Sequence, residues 1–214
     1  MKELYLIRHG SLNDICSGRL VGQNDQPLSA QGIAEAEACG RFLSELRFDR
    51  AYAGDLRRVR ETVEAVRRCA PGIPEPVIDT RLNEFDFGEW NMRDLSGISD
   101  AEKSLLKKWN FGAWGFSFPG GETIDDFAAR TRAALENILR AEAESLRVAV
   151  FSHGGVLMSL LSDMAGLDRS NAFRLWISRG AVARVVFDAS AARDGVEMTA
   201  GRLNLLLKPI ELGF

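Results

Sequence analysis

The chain has 214 residues, of which 46% are hydrophobic and 27% charged, and its formal net charge at pH 7 is −3. This length and composition predict a single globular domain over residues 1–214, and the small negative charge gives no reason to expect nucleic acid or a membrane surface as a partner. The first apolar run is too short for a signal peptide, and no run reaches the length of a membrane span. Cys16, Cys39 and Cys69 are widely spaced and follow no metal-ligand pattern, so we expect free thiols in a cytoplasmic protein.

Apolar runs that stop at polar or glycine-containing loops alternate with amphipathic stretches along most of the sequence. The apolar runs predict strands at residues 4–7, 48–53, 77–78, 147–152, 181–187 and 203–207. The amphipathic stretches predict helices at residues 29–46, 56–66, 124–139 and 156–164. Such alternation is typical of an α/β protein, here a three-layer α/β/α sandwich with a mostly parallel central sheet.

Three helix starts carry a capping residue. Ser29 and Asp55 are predicted N-caps of the first two helices, and Thr123 opens a capping-box pattern before the third. In the first helix, Ile33, Ala36, Leu43 and Leu46 are expected near one apolar face.

Between about residues 85 and 122 the pattern changes to aromatic residues among glycines and short helical runs. We therefore predict a small helical, aromatic-rich lobe inserted outside the sheet. Its most aromatic part leaves two interpretations open, since the side chains either form the core of the lobe or line the entrance of a neighbouring ligand pocket. These side chains are Trp109, Phe111, Trp114 and Phe116.

Two histidines occur in the chain, and each lies one residue after an apolar run and directly before a glycine: His9 before Gly10, and His153 before Gly154. Ligands bind at the carboxyl ends of strands in open α/β sheets, so these two imidazoles are expected to meet. Arg8 beside His9 indicates phosphate chemistry, because a neutral imidazole is a nucleophile toward phosphorus and a guanidinium group matches phosphoryl charge. A strand-end histidine that only satisfies a hydrogen bond is the alternative.

Five segments between residue 4 and about residue 165 resemble, in order, the motifs of the histidine phosphatase superfamily, which includes the cofactor-dependent phosphoglycerate mutases. They are Leu6-Ile7-Arg8-His9-Gly10, residues 22–29 with Gly32, residues 54–58, residues 82–90, and Ser152-His153-Gly154-Gly155. Each motif is weak alone, but five in the family's order are specific. Residues 118–123 resemble a segment of the phosphatase branch, which includes α-ribazole phosphatases and broad-specificity phosphatases.

The resemblance implies a role for each matching residue. His9 corresponds to the nucleophile that is phosphorylated, and Arg8 and Arg58 correspond to arginines that bind the phosphate. Glu84 corresponds to the general acid that protonates the leaving-group oxygen. His153 corresponds to the second imidazole, which donates to the phosphoryl oxygens.

Further residues near these motifs are weaker candidates. Asn13 and Gly154 are positioned in the sequence to contact phosphate as well. Arg57 and Arg60 are alternatives to Arg58, although on an exposed helix face they are expected to be solvated. The sequence departs from the family's usual residues at six positions, which put the substrate and the rate in doubt but leave the charged residues intact: Ser11, Leu12, Ile15, Gly54, Asn91 and Met92.

These residues favour a phosphoric monoester hydrolase that acts on a small phosphorylated metabolite through a phosphohistidine on His9. No cofactor is implied, and no metal, because the acidic residues form no chelating cluster in the sequence. The nearest alternative is a phosphoglycerate mutase, although residues 91–103 lack the segment that mutases of this family share. A non-catalytic phosphate-binding module is a third possibility. A serine hydrolase is discarded because the chain has no Gly-x-Ser-x-Gly motif. The predicted edge strand at 181–187 suggests a possible homodimer.

Overall fold

The computed structural model of the chain describes residues 2–110, 112–113, 115–140, 146–168 and 175–187. Seven strands lie in these ranges: β1 (Lys2–Arg8), β2 (Arg19–Leu20), β3 (Arg50–Ala53), β4 (Val77–Ile78), β5 (Arg93–Asp94), β6 (Leu146–Ser152) and β7 (Val182–Phe187). The same ranges contain five α-helices: α1 (Ala30–Leu43), α2 (Arg57–Cys69), α3 (Asp100–Asn110), α4 (Ile124–Arg140) and α5 (Gly154–Met164). The strand predicted at 203–207 lies outside the described residues.

Five of the strands form one mixed sheet in the order β4-β3-β6-β1-β7. The first four are parallel and β7 runs antiparallel to β1, which confirms the predicted mostly parallel sheet. In the register of β1 and β6, Arg8 is paired with Ser152. The next residues, His9 and His153, therefore leave the sheet side by side at the carboxyl ends of neighbouring strands.

Alternate side chains of the central strands pack on opposite faces of the sheet. Leu4 and Leu6 of β1 belong to a core that includes α4 and α5, whereas Tyr5 and Ile7 belong to a second core with α1 and α2. A strand covered on both faces needs an uninterrupted apolar run, which explains the sequence of residues 4–7. The predicted three-layer sandwich is confirmed.

The helix starts agree with the sequence in part. Ser29 caps α1, with its hydroxyl accepting a hydrogen bond from the Gly32 amide. Asp55 is not the N-cap of α2: that position is held by Leu56, while the Asp55 amide donates to Asn83 Oδ1 at 2.7 Å. Ile33 is also wrong as a buried position, since it is 39% exposed.

The segment predicted as a lobe lies outside the main sheet. Its strand β5 pairs with β2 in a separate antiparallel ribbon, and α3 follows. Its aromatic side chains join the core on the α4/α5 face, where the Phe87 ring lies 5.1 Å from Trp109 and 5.4 Å from Phe118. Phe111 and Trp114 lie outside the described residues. Among the helices described, none has the length and apolar character needed to cross a membrane.

Candidate active site

A cavity of about 370 Å³ opens at the carboxyl ends of β1 and β6. The structure brings to its wall most of the residues that the sequence singled out: Arg8, His9, Arg58, Glu84 and Gly154. His153 is completely buried behind them, with its ring centroid 5.2 Å from that of His9. Residues that are up to 145 positions apart in the chain thus share one site because β1 and β6 are adjacent.

The His9 ring is held in one tautomer. Its Nδ1 lies 2.8 Å from the carbonyl oxygen of Gly10, and because a carbonyl oxygen only accepts, Nδ1 carries the ring proton. Burial, together with the positive charges of Arg58 and Arg8, holds the pKa of His9 well below its usual range. The ring is therefore neutral near pH 7, and its Nε2 carries a free lone pair.

His153 is held in the opposite tautomer. Its Nδ1 lies 3.2 Å from Nε of Arg58, and because a guanidinium only donates, this nitrogen of His153 accepts. Burial and the charge of Arg58 also hold the pKa of His153 well below its usual range. The remaining nitrogen, Nε2, is then an N–H donor, and it is buried without a hydrogen-bond partner among the residues that the structure describes.

Two buried arginines surround the imidazoles. Arg58 is 1% exposed and donates from its two terminal nitrogens to the carbonyl oxygens of Gly22, at 2.6 Å, and Asn24, at 2.9 Å. Arg8 donates to the Ile177 carbonyl oxygen at 2.5 Å, and its Nε has no partner within the described parts of the chain. Burial lowers the pKa of Arg8 to about 10, which leaves it charged at neutral pH. A buried donor without an acceptor is costly, so the unpartnered N–H groups of Arg8 and His153 suit this site to an anionic ligand.

Glu84 lies at the opposite side of the cavity, where its carboxyl group is fixed by main-chain donors. One oxygen accepts from the Phe85 amide at 3.0 Å and the other from the Gly155 amide at 3.2 Å, in the first turn of α5. A side chain at Gly154 or Gly155 would force a neighbouring side chain of the site to move. A Cβ at Gly154 would lie 2.8 Å from Cζ of Arg8, and one at Gly155 would overlap the Glu84 carboxyl group.

Arg130 of α4 holds the backbone that carries Glu84, and the sequence motifs did not identify it. Its guanidinium donates to the carbonyl oxygens of Arg81, Asn83 and Glu84 at 2.7, 2.8 and 3.0 Å. It also forms a partly buried ion pair with Glu122 at 2.7 Å. Five N–H donors in a rigid plane suit this arrangement, which ties three carbonyl groups of one loop to a helix.

The loop after His9 is held by a carboxylate that the sequence did not single out either. Glu35 of α1 accepts from both the amide and the hydroxyl of Ser11, at 2.7 and 2.8 Å. Thr62 of α2 joins the loop to the phosphate-binding helix, accepting from the Gly10 amide at 3.2 Å and donating to the Arg58 carbonyl oxygen at 2.7 Å. Such long-range contacts have no local sequence signal.

Other candidates lie away from the cavity. Asn13 is exposed and does not line it, so the structure does not bring this side chain to the phosphate-binding groups. Arg57 and Arg60 are more than half exposed and pair with Glu61 and Asp55, as expected for solvated charges. Three exposed residues that the sequence did not identify do line the cavity, Asn110, Trp176 and Arg179.

The departures from the family's usual residues have structural counterparts. Leu12 packs in a small core with Cys16 and Leu28, whereas Ile15 is 63% exposed. Gly54 leaves room for Asn83, since a Cβ there would lie 2.9 Å from its Oδ1. Met92 has φ of +66°, a left-handed conformation that favours the glycine found in many family members.

All three cysteines are free thiols, and Cys16 and Cys39 are buried. Within the described ranges, no three or more His, Cys, Asp and Glu side chains are grouped closely enough to hold a metal ion.

The site can bind a tetrahedral oxyanion between two guanidinium groups and an imidazole N–H, with a second imidazole lone pair and a carboxyl group beside it. An α/β sandwich with this arrangement defines a phosphate-binding protein of the phosphatase and mutase type. Residues 4–193 match the model of the histidine phosphatase superfamily (branch 1), and the chain belongs to this family.

Named relatives are similar over nearly the whole length. The probable phosphoglycerate mutase GpmB of Klebsiella pneumoniae (strain 342) is 31% identical over 212 residues, which cover 98% of this chain and 97% of that protein. The structure of alpha-ribazole phosphatase from Shigella flexneri has a TM-score of 0.81 at 22% identity and covers 96% of both chains, which shows the shared fold. A mycobacterial glucosyl-3-phosphoglycerate phosphatase in complex with VO3 has a TM-score of 0.75 at 25% identity, covering 86% of this chain and 92% of that one.

Proposed function

We propose that the protein is a metal-independent phosphomonoesterase that hydrolyses a small phosphorylated metabolite through a phosphohistidine on His9, with Glu84 as the general acid. The observation that carries the proposal is the pair of opposite imidazole tautomers. His9 presents a lone pair to the cavity, whereas His153 presents an N–H group, so one ring can attack phosphorus while the other donates to a phosphoryl oxygen.

In the first step, the Nε2 lone pair of His9 forms a bond to phosphorus while the ester P–O bond breaks. Glu84 gives its proton to the departing oxygen, which leaves as an alcohol. The positive charge that develops on the imidazole is shared with the Gly10 carbonyl oxygen, which already accepts from Nδ1 at 2.8 Å. The charges of Arg8 and Arg58 offset the charge on the transferred group, and the neutral His153 ring donates a hydrogen bond to it.

In the second step, the Glu84 carboxylate takes a proton from water as the water oxygen attacks phosphorus. The P–N bond to His9 breaks, inorganic phosphate leaves, and Glu84 is again protonated. The complex of the mycobacterial phosphatase with VO3 supports this use of the cavity, because VO3 is an oxyanion like the phosphoryl group. The three free thiols favour a reducing, cytoplasmic location for this activity.

The test is hydrolysis of p-nitrophenyl phosphate in excess chelator, with rapid quenching to trap an acid-labile phosphoenzyme. We expect turnover without added metal, and we expect His9→Ala to lose roughly 10⁴-fold or more in kcat/KM together with the phosphoenzyme. Arg57→Gln, an exposed change beside the site, is the matched control and should retain full activity. Full activity in His9→Ala would refute the mechanism. Binding of vanadate without turnover of any ester would instead indicate a non-catalytic binding module.

A mutase is the second candidate, because curated relatives at 30–31% identity over 212 residues carry the name probable phosphoglycerate mutase. A mutase returns the phosphoryl group to a second hydroxyl before water reaches it. Incubation with 3-phosphoglycerate and its bisphosphate activator separates the two: free phosphate supports the phosphatase, and isomerised phosphoglycerate supports the mutase.

A further inference from the structure

A second cavity of about 70 Å³ lies beside the catalytic cavity, between α4, α5 and the aromatic lobe. We call it the side pocket; its walls are Phe85, Trp109, Gly112, Ile124, Phe127, Ala128, Gly155, Met158, Ser159, Ser162 and Asp163. The two cavities share Trp109, Gly155 and Met158 as wall residues, so they adjoin each other at these three residues. Met158 is a flexible thioether, which adapts its shape more easily than a branched side chain.

The floor of the side pocket is one face of α5. Met158 and Ser159 follow Gly155 by three and four residues, and Ser162 follows Ser159 and Met158 by three and four, so the four residues form a continuous stripe along the helix. The stripe begins at Gly155, whose amide holds the Glu84 carboxyl group. It ends at Ser162, about 10 Å farther along the helix axis at 1.5 Å per residue.

Most walls of the side pocket are apolar. Its polar side chains are Ser159, Ser162 and Asp163, of which Asp163 pairs with Arg132 at 2.8 Å. Phe127, Ile124 and Ala128 of α4 face the stripe, and Phe85 closes the side next to Glu84. The Ser159 hydroxyl is already engaged with Thr131 at 3.2 Å. The Ser162 hydroxyl differs, because the residue is only 3% exposed and its oxygen has no hydrogen-bond partner among the residues with described positions. A buried hydroxyl without a partner is costly, and a ligand group that reaches it would satisfy it.

We propose that the side pocket receives the alcohol part of the substrate, so that the preferred phosphate monoesters carry a compact apolar chain ending in a hydroxyl or carbonyl group that bonds to Ser162. The proposal rests on the proposed function of His9 and Glu84. A leaving-group oxygen that takes its proton from Glu84 lies against Gly155, and the stripe leads from that point past Met158 into the side pocket.

The first experiment uses a series of n-alkyl phosphates for turnover and the matching alkylphosphonates, which are not hydrolysed, for binding. We expect kcat/KM and affinity to rise about three- to fourfold per methylene until the side pocket is filled. Ala128→Leu fills the side pocket from α4 without touching the catalytic residues. This variant should leave kcat/KM for ethyl phosphate unchanged and reduce kcat/KM for hexyl phosphate at least tenfold. Ala129→Leu, a change at an exposed neighbouring residue, should alter neither value.

The second experiment uses Ser162→Ala, which removes the unpartnered hydroxyl with little change in volume. The free protein should become no less stable in urea denaturation. In the unchanged protein we expect 6-hydroxyhexyl phosphonate to bind more tightly than hexyl phosphonate. In Ser162→Ala the ratio of these two affinities should fall to about one. If Ala128→Leu does not fold, this comparison decides alone.

The outcomes separate the two proposals. If no ester is hydrolysed but the phosphonates show the length dependence, the catalytic proposal fails and the side pocket stands. Two results would overturn the side-pocket proposal while leaving phosphatase activity in place. One is that neither turnover nor binding changes with the length of the alkyl chain. The other is that Ala128→Leu and Ala129→Leu have equal effects.

Discussion

The two ends of the catalytic cavity are built from different kinds of contact. At the phosphate end, which comprises Arg8, His9, Arg58 and His153, buried charged and polar groups follow directly from strand ends and from one helix. At the leaving-group end, formed by Glu84, Trp109 and Met158, one carboxyl group lies among apolar side chains from three separate elements. In the proposed reaction, the phosphate end would bind the group that all phosphate monoesters share, whereas the leaving-group end would meet the part in which they differ.

This difference predicts two classes of mutational effect. A change at the phosphate end should reduce activity on every ester by a similar factor, since every substrate places the same group there. A change at the leaving-group end should reduce activity in proportion to how much a given ester needs a proton or an apolar surface.

The largest effect in this comparison is expected from Arg58→Gln. It removes a buried cation and releases Nδ1 of His153, whose tautomer depends on the donor at 3.2 Å. We expect kcat/KM to fall about 10²- to 10³-fold, equally for p-nitrophenyl and alkyl phosphates, and vanadate inhibition to weaken.

Arg57→Gln is the control for this experiment, because Arg57 is the preceding residue and is 55% exposed in an ion pair with Glu61. It should change kcat/KM by less than twofold. Circular dichroism checks that Arg58→Gln is folded, and Arg58→Lys provides a second variant that keeps the charge. A loss confined to one ester would show that Arg58 does not belong to the phosphate end.

A smaller and selective effect is expected from Arg130→Gln. Without the three bonds from this guanidinium, the loop that carries Glu84 loses its attachment to α4. We expect kcat to fall about 10- to 100-fold for alkyl phosphates, which need a proton on the leaving oxygen, and much less for p-nitrophenyl phosphate, which does not. Arg130 acts here as a positioning residue for Glu84.

Arg140→Gln near the end of α4 is the control, since Arg140 is exposed and pairs only with Glu136 at 3.2 Å. Arg130→Lys keeps the charge but not the planar fork, and should fall between Arg130→Gln and the unchanged protein. An equal loss on both kinds of ester would mean that Arg130 stabilises the whole site rather than the acid loop.

The same comparison explains how much the sequence alone could predict. His9 and His153 each follow a strand-like apolar run, and their spatial meeting follows from a parallel sheet, so the phosphate end was accessible to motif reasoning. The tautomers of the two histidines could not be predicted from the sequence, because they depend on the Gly10 carbonyl oxygen and on the direction of the Arg58 side chain.

The contacts that hold the loops of the site in place were harder to predict from the sequence. Arg130 and Glu35 act across 46 and 24 positions of sequence, on Glu84 and Ser11, and nothing in their local patterns distinguishes them from other charged residues on helices. Asn13 differs from them, because this polar residue lies close to a motif in sequence but is exposed and does not line the cavity. Side pockets such as the one beside Met158 need three elements to be packed together before they exist.

The smallest expected effect concerns stability, and it comes from the two buried imidazoles at the phosphate end. Both have pKa values held well below the usual range by burial and by Arg58, whereas in the unfolded chain they take up protons near pH 6.5. Below that pH the unfolded state binds more protons than the folded state, so the free energy of unfolding is at its full value above about pH 6.5 and decreases as the pH falls. The decrease approaches about 1.4 kcal/mol per pH unit for each histidine.

Urea denaturation between pH 7.5 and 5 measures this slope, and the chain has only these two histidines to produce it in that range. His9→Asn should reduce the slope of the free energy of unfolding against pH by the amount that corresponds to about one proton. The double variant His9→Asn with His153→Asn should nearly remove the slope. Both expectations hold whatever the changes do to stability at pH 7.5. A flat curve for the unchanged protein would show that the folded chain takes up protons in this pH range as readily as the unfolded chain. That result would contradict the lowered pKa values of the two buried imidazoles, so a stability measurement tests the phosphate end without any substrate.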